Sequence, residues 1–129
     1  MNHPKYFLEK ARLSARQSNL GEASKFLQDA LEIAYENNLL EIIVNAKLQL
    51  AEIDLLRYRK TNESILIANA LRKIEDTRQL CIEQDYKLVL IDVFILQSLL
   101  LSMNNQQKDN KKVLDEAINL AKELNLPEK

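Results

Sequence analysis

The sequence is poor in the residues that metal sites, disulfides and glycine-rich loops require. Its 129 residues include one Gly, two Pro, one Cys, one His and no Trp. A single His and a single Cys cannot supply the usual zinc ligand set, and a lone Cys cannot form an intrachain disulfide. One Gly leaves no room for a phosphate-binding loop. We therefore expect neither a metal nor a nucleotide cofactor.

Neither sign of charge predominates along the chain. There are 18 Lys and Arg against 19 Asp and Glu, which gives a formal net charge of −1. That balance disfavours a nucleic-acid binder, which needs basic residues to neutralise phosphates. Two short basic clusters, residues 57–60 and residues 108–112, keep a nucleic-acid or acidic partner open as a weaker alternative.

Hydrophobic runs are too short for a transmembrane helix. The longest nearly apolar run, residues 88–101, has 14 residues and is interrupted by Asp92, Gln97 and Ser98. About 20 residues are needed to cross a bilayer. No apolar signal-peptide region follows the N-terminus, and the unpaired Cys81 is typical of a reducing compartment. These features predict a cytoplasmic protein without a membrane partner.

Strong helix formers fill the segments between a few Asn-containing clusters. Apolar periodicity and helix-end signals predict six helices, at about residues 4–18, 21–37, 39–59, 63–84, 85–103 and 109–125, with Thr61 or Asn62 as the N-cap of the fourth. Connections of two to five residues make successive helices antiparallel. The third and fifth helices are apolar on most of their circumference, which indicates burial on two sides. The predicted fold class is all-α, with three stacked hairpins.

An internal repeat supports the stack of hairpins. Residues 26–39 and residues 113–126 are identical at six of fourteen positions, including Ala30 with Ala117 and Leu27 with Leu114. Ile67 and Ala70 of the fourth helix fit the same pattern. A small Ala at a helix crossing, with a bulky residue one turn earlier, lets neighbouring helices approach closely.

At this level of detail the chain resembles a tetratricopeptide-repeat protein. Residues 20–33, LGEASKFLQDALEI, are similar to the second helix of such a repeat, with Ala23, Leu27 and Ala30 at its small, large and small positions. Further matches are Phe7 and Ala11 in the first repeat, Leu50, Ala51, Ile67 and Ala70 in the second, and Phe94, Ser98, Leu114 and Ala117 in the third. The resemblance implies one domain over residues 1–129, with repeats at about 4–37, 39–84 and 85–126 wound into a right-handed superhelix.

The chain also departs from the family pattern. Lys10 and Gln97 replace a usual Leu, and Glu63 and Asn110 replace a usual Ala. The repeat spacing is 40 and then 47 residues between equivalent alanines, where the family standard is about 34. Such long repeats resemble those of large bacterial regulators and multi-subunit scaffolds.

The family register implies a concave face formed by the first, third and fifth helices. It directs Leu8, Leu48 and Ile95 into a groove there. Beside them it places, among others, Arg12, Arg16, Asn45, Glu52, Asp92 and Leu99. An apolar stripe with polar margins suits an amphipathic helix of a partner. The alternative is that the leucines are core residues of a more closed bundle. The groove lacks the Lys and Asn pattern that resembles the family's clamp for C-terminal carboxylates.

Asp92 has two interpretations because it lies in the most apolar helix. A buried, unpaired carboxylate would be costly. Asp92 therefore either lines the groove or forms an ion pair with a Lys or Arg of a neighbouring helix. We consider both interpretations.

Catalysis is not expected. A nucleophilic Cys or Ser would need a base beside it, and the only histidine of the sequence, His3, is close to the N-terminus. Cys81 fits a small core position. The predicted function is a non-enzymatic scaffold that binds a protein or an amphipathic peptide through Leu8, Arg12, Asn45, Leu48, Glu52, Asp92, Ile95 and Leu99.

The alternative function is a ligand-sensing and oligomerisation segment of a bacterial transcription regulator. The long repeats resemble the sensor region of maltose-type activators, where such a domain takes a small ligand. The apolar stripe of the sixth helix either packs back onto the fifth helix or meets another subunit or more chain, so a homo-oligomer is a further expectation.

Overall fold

The computed structural model describes residues 3–104 and 107–124. Within them the chain forms six helices and no strand, which confirms the all-α fold class. The helices are α1 (Pro4–Arg16), α2 (Leu20–Glu36), α3 (Leu40–Thr61), α4 (Ser64–Glu83), α5 (Lys87–Met103) and α6 (Gln107–Glu123). The connections up to α5 span two or three residues, as predicted, and each helix packs against the next as in a series of hairpins.

The odd-numbered helices share one side of the molecule. Helix α1 contacts α3, and α3 contacts α5. Among the described residues, no Cα atoms of α2 and α4, or of α4 and α6, approach within 8 Å of each other. We call the side formed by α1, α3 and α5 the odd-helix face, because only these helices meet their second neighbours.

Helix α3 lies between two clusters of buried apolar residues. Ile43, Ala46 and Leu50 pack into the first core cluster, which α3 shares with α1 and α2. Val44 and Leu48 pack into the second core cluster, which α3 shares with α4, α5 and α6. The prediction that α3 is packed on two sides is therefore confirmed.

Helix α5 is less enclosed than its sequence indicates. Val93 and Leu100 are fully buried, but Leu88, Ile95 and Leu99 are exposed. The reason is geometric, since within the described ranges α5 contacts only α3, α4 and α6, which leaves its remaining side open on the odd-helix face. The high apolar content of α5 overstates its burial.

Helix α6 leaves part of its apolar stripe uncovered. Val113 and Ala117 pack into the second cluster, as a helix packed back onto α5 should. Leu114 is 40% exposed and Ile118 is exposed as well, although the repeat-equivalent Leu27 is fully buried. Helix α3 covers α2, but no helix of the described residues follows α6 to cover it in the same way.

Two ion pairs among the described residues join α4 to other helices. The Lys73 Nζ lies 2.6 Å from the Oδ2 of Asp54, a buried carboxylate, and joins α3 to α4. The Arg78 guanidinium pairs with Glu75 at 3.2 Å, reaches Glu116 of α6 at 3.6 Å and lies 5.6 Å above the centre of the Phe94 ring. Arg78 thereby links the second hairpin to the third.

Three helices end in the same hydrogen-bonded motif with a non-glycine residue in the left-handed region. At the end of α1, Ser18 has φ 61°, its N–H donates to the Ala15 carbonyl, and the Asn19 N–H donates to the Ser14 carbonyl at 2.8 Å. Asn38 and Asp85 repeat this Schellman geometry after α2 and α4. Ser18 therefore ends α1 two residues earlier than the periodicity indicates.

The predicted N-cap of α4 is wrong. Thr61 is the last residue of α3, Asn62 follows it with φ 59°, and Glu63 is the N-cap. The Thr61 hydroxyl donates to the Arg57 carbonyl at 3.1 Å and accepts from the Glu63 N–H at 3.3 Å. A threonine that bonds back to the preceding turn is used by α3 and is not available to cap α4.

Ser18→Gly is expected to stabilise the protein by about 0.5–1 kcal/mol, because glycine adopts a positive φ without the steric cost that serine pays. Chemical denaturation measures the difference. Ser24→Gly within α2 is the matched control and is expected to destabilise by about 0.5 kcal/mol, the difference in helix propensity between serine and glycine. Equal losses in both variants would contradict the role of φ at position 18.

None of the helices in the described part of the chain is both long and apolar enough to cross a bilayer.

Candidate binding groove on the odd-helix face

A groove of about 340 Å³ runs across α1, α3 and α5. Its lining brings together seven of the eight residues that the sequence places on the concave face. They are Arg12 from α1, Asn45, Leu48 and Glu52 from α3, and Asp92, Ile95 and Leu99 from α5. The spacing of three and then four residues on α3 and on α5 puts each set on one side of its helix. Leu96 also lines the groove, and the sequence prediction missed it.

The apolar residues of the groove differ in depth. Ile95 is 53% exposed and Leu99 is also exposed, so both offer surface to a partner. Leu48 is only 8% exposed and belongs to the second core cluster, so it forms the floor. For Leu48 the core interpretation and the groove interpretation therefore both hold in part.

Leu8 lies outside the groove. It is 7% exposed and packs in the first core cluster together with Ala11 and Leu27. The family register places Leu8 beside Leu48 and Ile95, but the structure buries it in the cluster that α1, α2 and α3 share. Leu8 is a core residue in this structure, and we correct the prediction accordingly.

Charged side chains lie at the centre of the groove. Partial burial raises the pKa of the Glu52 carboxyl, the Arg12 guanidinium opposes that rise, and the Asp92 carboxylate reinforces it. Asp92 is exposed and forms no ion pair with any Lys or Arg among the described residues. Of its two interpretations, the structure agrees with the groove wall.

A second cavity of about 440 Å³ continues the groove between α1 and α3. Arg12 and Glu52 line both cavities, and Arg16, Gln49 and Ile53 line only this one. Gln49 is 8% exposed, and in the described structure its amide nitrogen Nε2 is buried without a hydrogen-bond partner. Its residue type gives no sign of this burial, because glutamine is mostly exposed in folded proteins.

His3 and Cys81, the residues considered for catalysis, both contribute to the fold: His3 caps a helix and Cys81 lies in the core. The His3 Nδ1 accepts a hydrogen bond from the Lys5 N–H at 3.1 Å and caps the start of α1. Cys81 is fully buried, and this burial raises the pKa of its thiol to about 11. No group of three His, Cys, Asp or Glu side chains that could hold a metal ion occurs in the described residues.

The two basic clusters differ in their surroundings. Arg59 and Lys60 lie in the last turn of α3, where cations complement the helix dipole. Lys111 and Lys112 line a surface cavity together with acidic residues. The acidic residues of that cavity are Asp109, Asp115 and Glu116. The second cluster therefore presents mixed charge to a partner.

The similarity to tetratricopeptide-repeat proteins rests on the residues quoted from the sequence and stays a prediction, as does the division into three repeats. Stacked helical hairpins occur in several kinds of all-α protein, so the helix packing alone does not assign a family. Among models of known protein families, curated protein sequences and solved structures, none matches this chain.

Proposed function

We propose that this chain is a non-enzymatic scaffold of the tetratricopeptide type that binds an amphipathic segment of a partner protein, in the cytoplasm. The observation that carries the proposal is the groove on the odd-helix face, where exposed Ile95 and Leu99 adjoin the charged Arg12, Glu52 and Asp92.

The groove has the composition that helix-in-groove recognition uses. Ile95 and Leu99 follow each other by one helical turn and give an apolar strip along α5. A partner helix with apolar residues three and four positions apart can cover such a strip. Covering the exposed parts of the two side chains contributes about 1 kcal/mol each, and the surrounding charges fix the register of the partner.

The double variant Ile95→Lys/Leu99→Lys is expected to lose peptide binding while the protein remains folded. The probe is a phage-displayed library of 18-residue amphipathic peptides, selected on the unmodified protein. Enriched peptides are then titrated against both proteins by fluorescence anisotropy, and we expect the affinity to fall at least tenfold for the double variant.

The matched control is Ile65→Lys/Ile82→Lys, which places the same changes at two exposed positions of α4, outside the groove. This control should bind the selected peptides as the unmodified protein does. Equal loss of binding in both double variants, or no enrichment of amphipathic peptides, would overturn the proposed function.

The ligand-sensing segment of a transcription regulator stays an alternative from the sequence. It differs in one measurable respect, since a sensor should melt at a higher temperature in the presence of its small ligand. A panel of sugars and other metabolites in a thermal-shift assay, with light scattering to follow association, separates the two hypotheses.

A further inference from the structure

We propose that the part of the groove between α1 and α3 receives an acidic side chain, Asp or Glu, of the docked partner segment. Gln49 would donate to this carboxylate from the floor, and Arg12 and Arg16 would neutralise it from the wall. The inference rests on the proposed function, because the carboxylate belongs to a segment whose apolar residues contact Ile95 and Leu99.

Gln49 supplies the observation that points to a ligand. Buried polar groups in folded proteins nearly always have hydrogen-bond partners, and a buried donor without one costs stability. The Nε2 atom of Gln49 is such a donor, and the residue lines the cavity of about 440 Å³. Solvent does not reach Nε2 in the free protein, so the Gln49 amide must turn about its last side-chain bond before it donates to a partner group in the cavity.

The two arginines specify that the acceptor is an anion. Arg12 and Arg16 are four residues apart on α1 and both line this cavity. The Arg12 Nη1 lies 3.4 Å from an exposed carboxylate of Glu9, a long contact that leaves other guanidinium donors for a ligand. Arg16 forms no ion pair among the described residues. Guanidinium groups bind carboxylates through paired, charge-assisted hydrogen bonds.

The acidic groups nearby limit the charge that the site accepts. Glu52 is the acidic residue of this cavity, and Asp92 lies in the adjoining part of the groove. The side chains that line the cavity, two arginines and one glutamate, sum to a single positive charge, and the Glu9 carboxylate beside Arg12 reduces it further. A singly charged carboxylate is therefore the most negative group that this charge matches. A phosphoryl group, with nearly two negative charges, would meet stronger repulsion from Glu52 and Asp92.

The experiment uses the peptides selected on the unmodified protein as probes. We expect them to share an Asp or Glu at the end opposite their apolar residues. Replacing that residue by Asn or Gln should weaken binding about tenfold to the unmodified protein and less than twofold to Gln49→Met or Arg16→Gln. Gln28→Met and Arg72→Gln, at exposed positions of α2 and α4, are the controls that keep the tenfold effect.

The free protein supplies an independent readout. Gln49→Met removes the unpaired donor and keeps the length of the side chain, so it should raise the melting temperature by about 2–5 °C. A residue with only a structural role would not combine higher stability with a weaker preference for an acidic peptide.

The outcomes separate the two proposals. Peptides that need Ile95 and Leu99 but show no acidic preference would overturn this inference and leave the proposed function standing. Failure to obtain any groove-dependent peptide would overturn both. Tighter binding of a phosphoserine peptide than of its Glu counterpart would overturn the assignment to a carboxylate.

Discussion

Leu48→Lys is expected to destabilise the protein severely, whereas Ile95→Lys is expected to leave its stability nearly unchanged, although both residues line the same groove. Leu48 is a buried member of the second core cluster, so lysine there removes apolar burial and places an ammonium group in the core. We expect a loss of at least 4 kcal/mol, a large part of the 5–15 kcal/mol that stabilises a typical domain. Ile95 is more than half exposed, and its replacement should change stability by less than about 0.5 kcal/mol.

Circular dichroism and urea denaturation test this pair of variants. Leu48→Met is the control for position 48, because a change that conserves volume and apolar character should cost less than about 1.5 kcal/mol. A Leu48→Lys variant with a helical spectrum and an unchanged denaturation midpoint would show that Leu48 faces solvent. The practical consequence is that tests of binding must use Ile95 and Leu99.

Stability is expected to fall between about pH 9 and pH 11 because of Cys81. Its thiol is fully buried, and burial raises its pKa from an ordinary 9.0 to about 11. Below pH 9 the thiol is protonated in both the folded and the unfolded chain. Between pH 9 and pH 11 the unfolded chain loses the proton while the folded chain keeps it, so rising pH favours unfolding by about 2–3 kcal/mol in total.

The measurement compares the free energy of unfolding of the unmodified protein with that of Cys81→Ala across this pH range. Every other titratable group is common to both proteins, so the difference between the two curves isolates the thiol. The difference should be constant below pH 9 and shift in favour of the alanine variant above it. A difference that stays constant up to pH 11 would contradict the raised pKa.

The sequence predicted the helices well because their signals are local. Apolar periodicity and helix-forming residues gave the fold class, the number of helices and the two-sided burial of α3. Helix ends were less accurate, since a positive φ at Ser18 and the backward hydrogen bond of Thr61 depend on backbone geometry that residue type does not fix.

The sequence could predict on which side of its helix a groove residue lies, but not how deeply its side chain is buried. The family register grouped Asn45, Leu48 and Glu52, and the structure places them on one side of α3, as their spacing of three and then four residues requires. Whether a leucine forms the floor, the wall or the core depends on which helix lies opposite, and only the tertiary structure distinguished Leu8 and Leu48 from Ile95. The burial of Gln49 was not predicted for the same reason, because a polar residue within a helix usually faces water.

The position of α3 between two clusters has a consequence for how the molecule would unfold. In an array where each repeat contacts only its neighbours, separate parts can open independently. Here one helix contributes side chains to both clusters, so loss of α3 would remove packing from the first and the last hairpin together. We therefore expect a single cooperative transition, and a molecule bound to the α3 side chains would raise the resistance of the whole chain to heat and proteases.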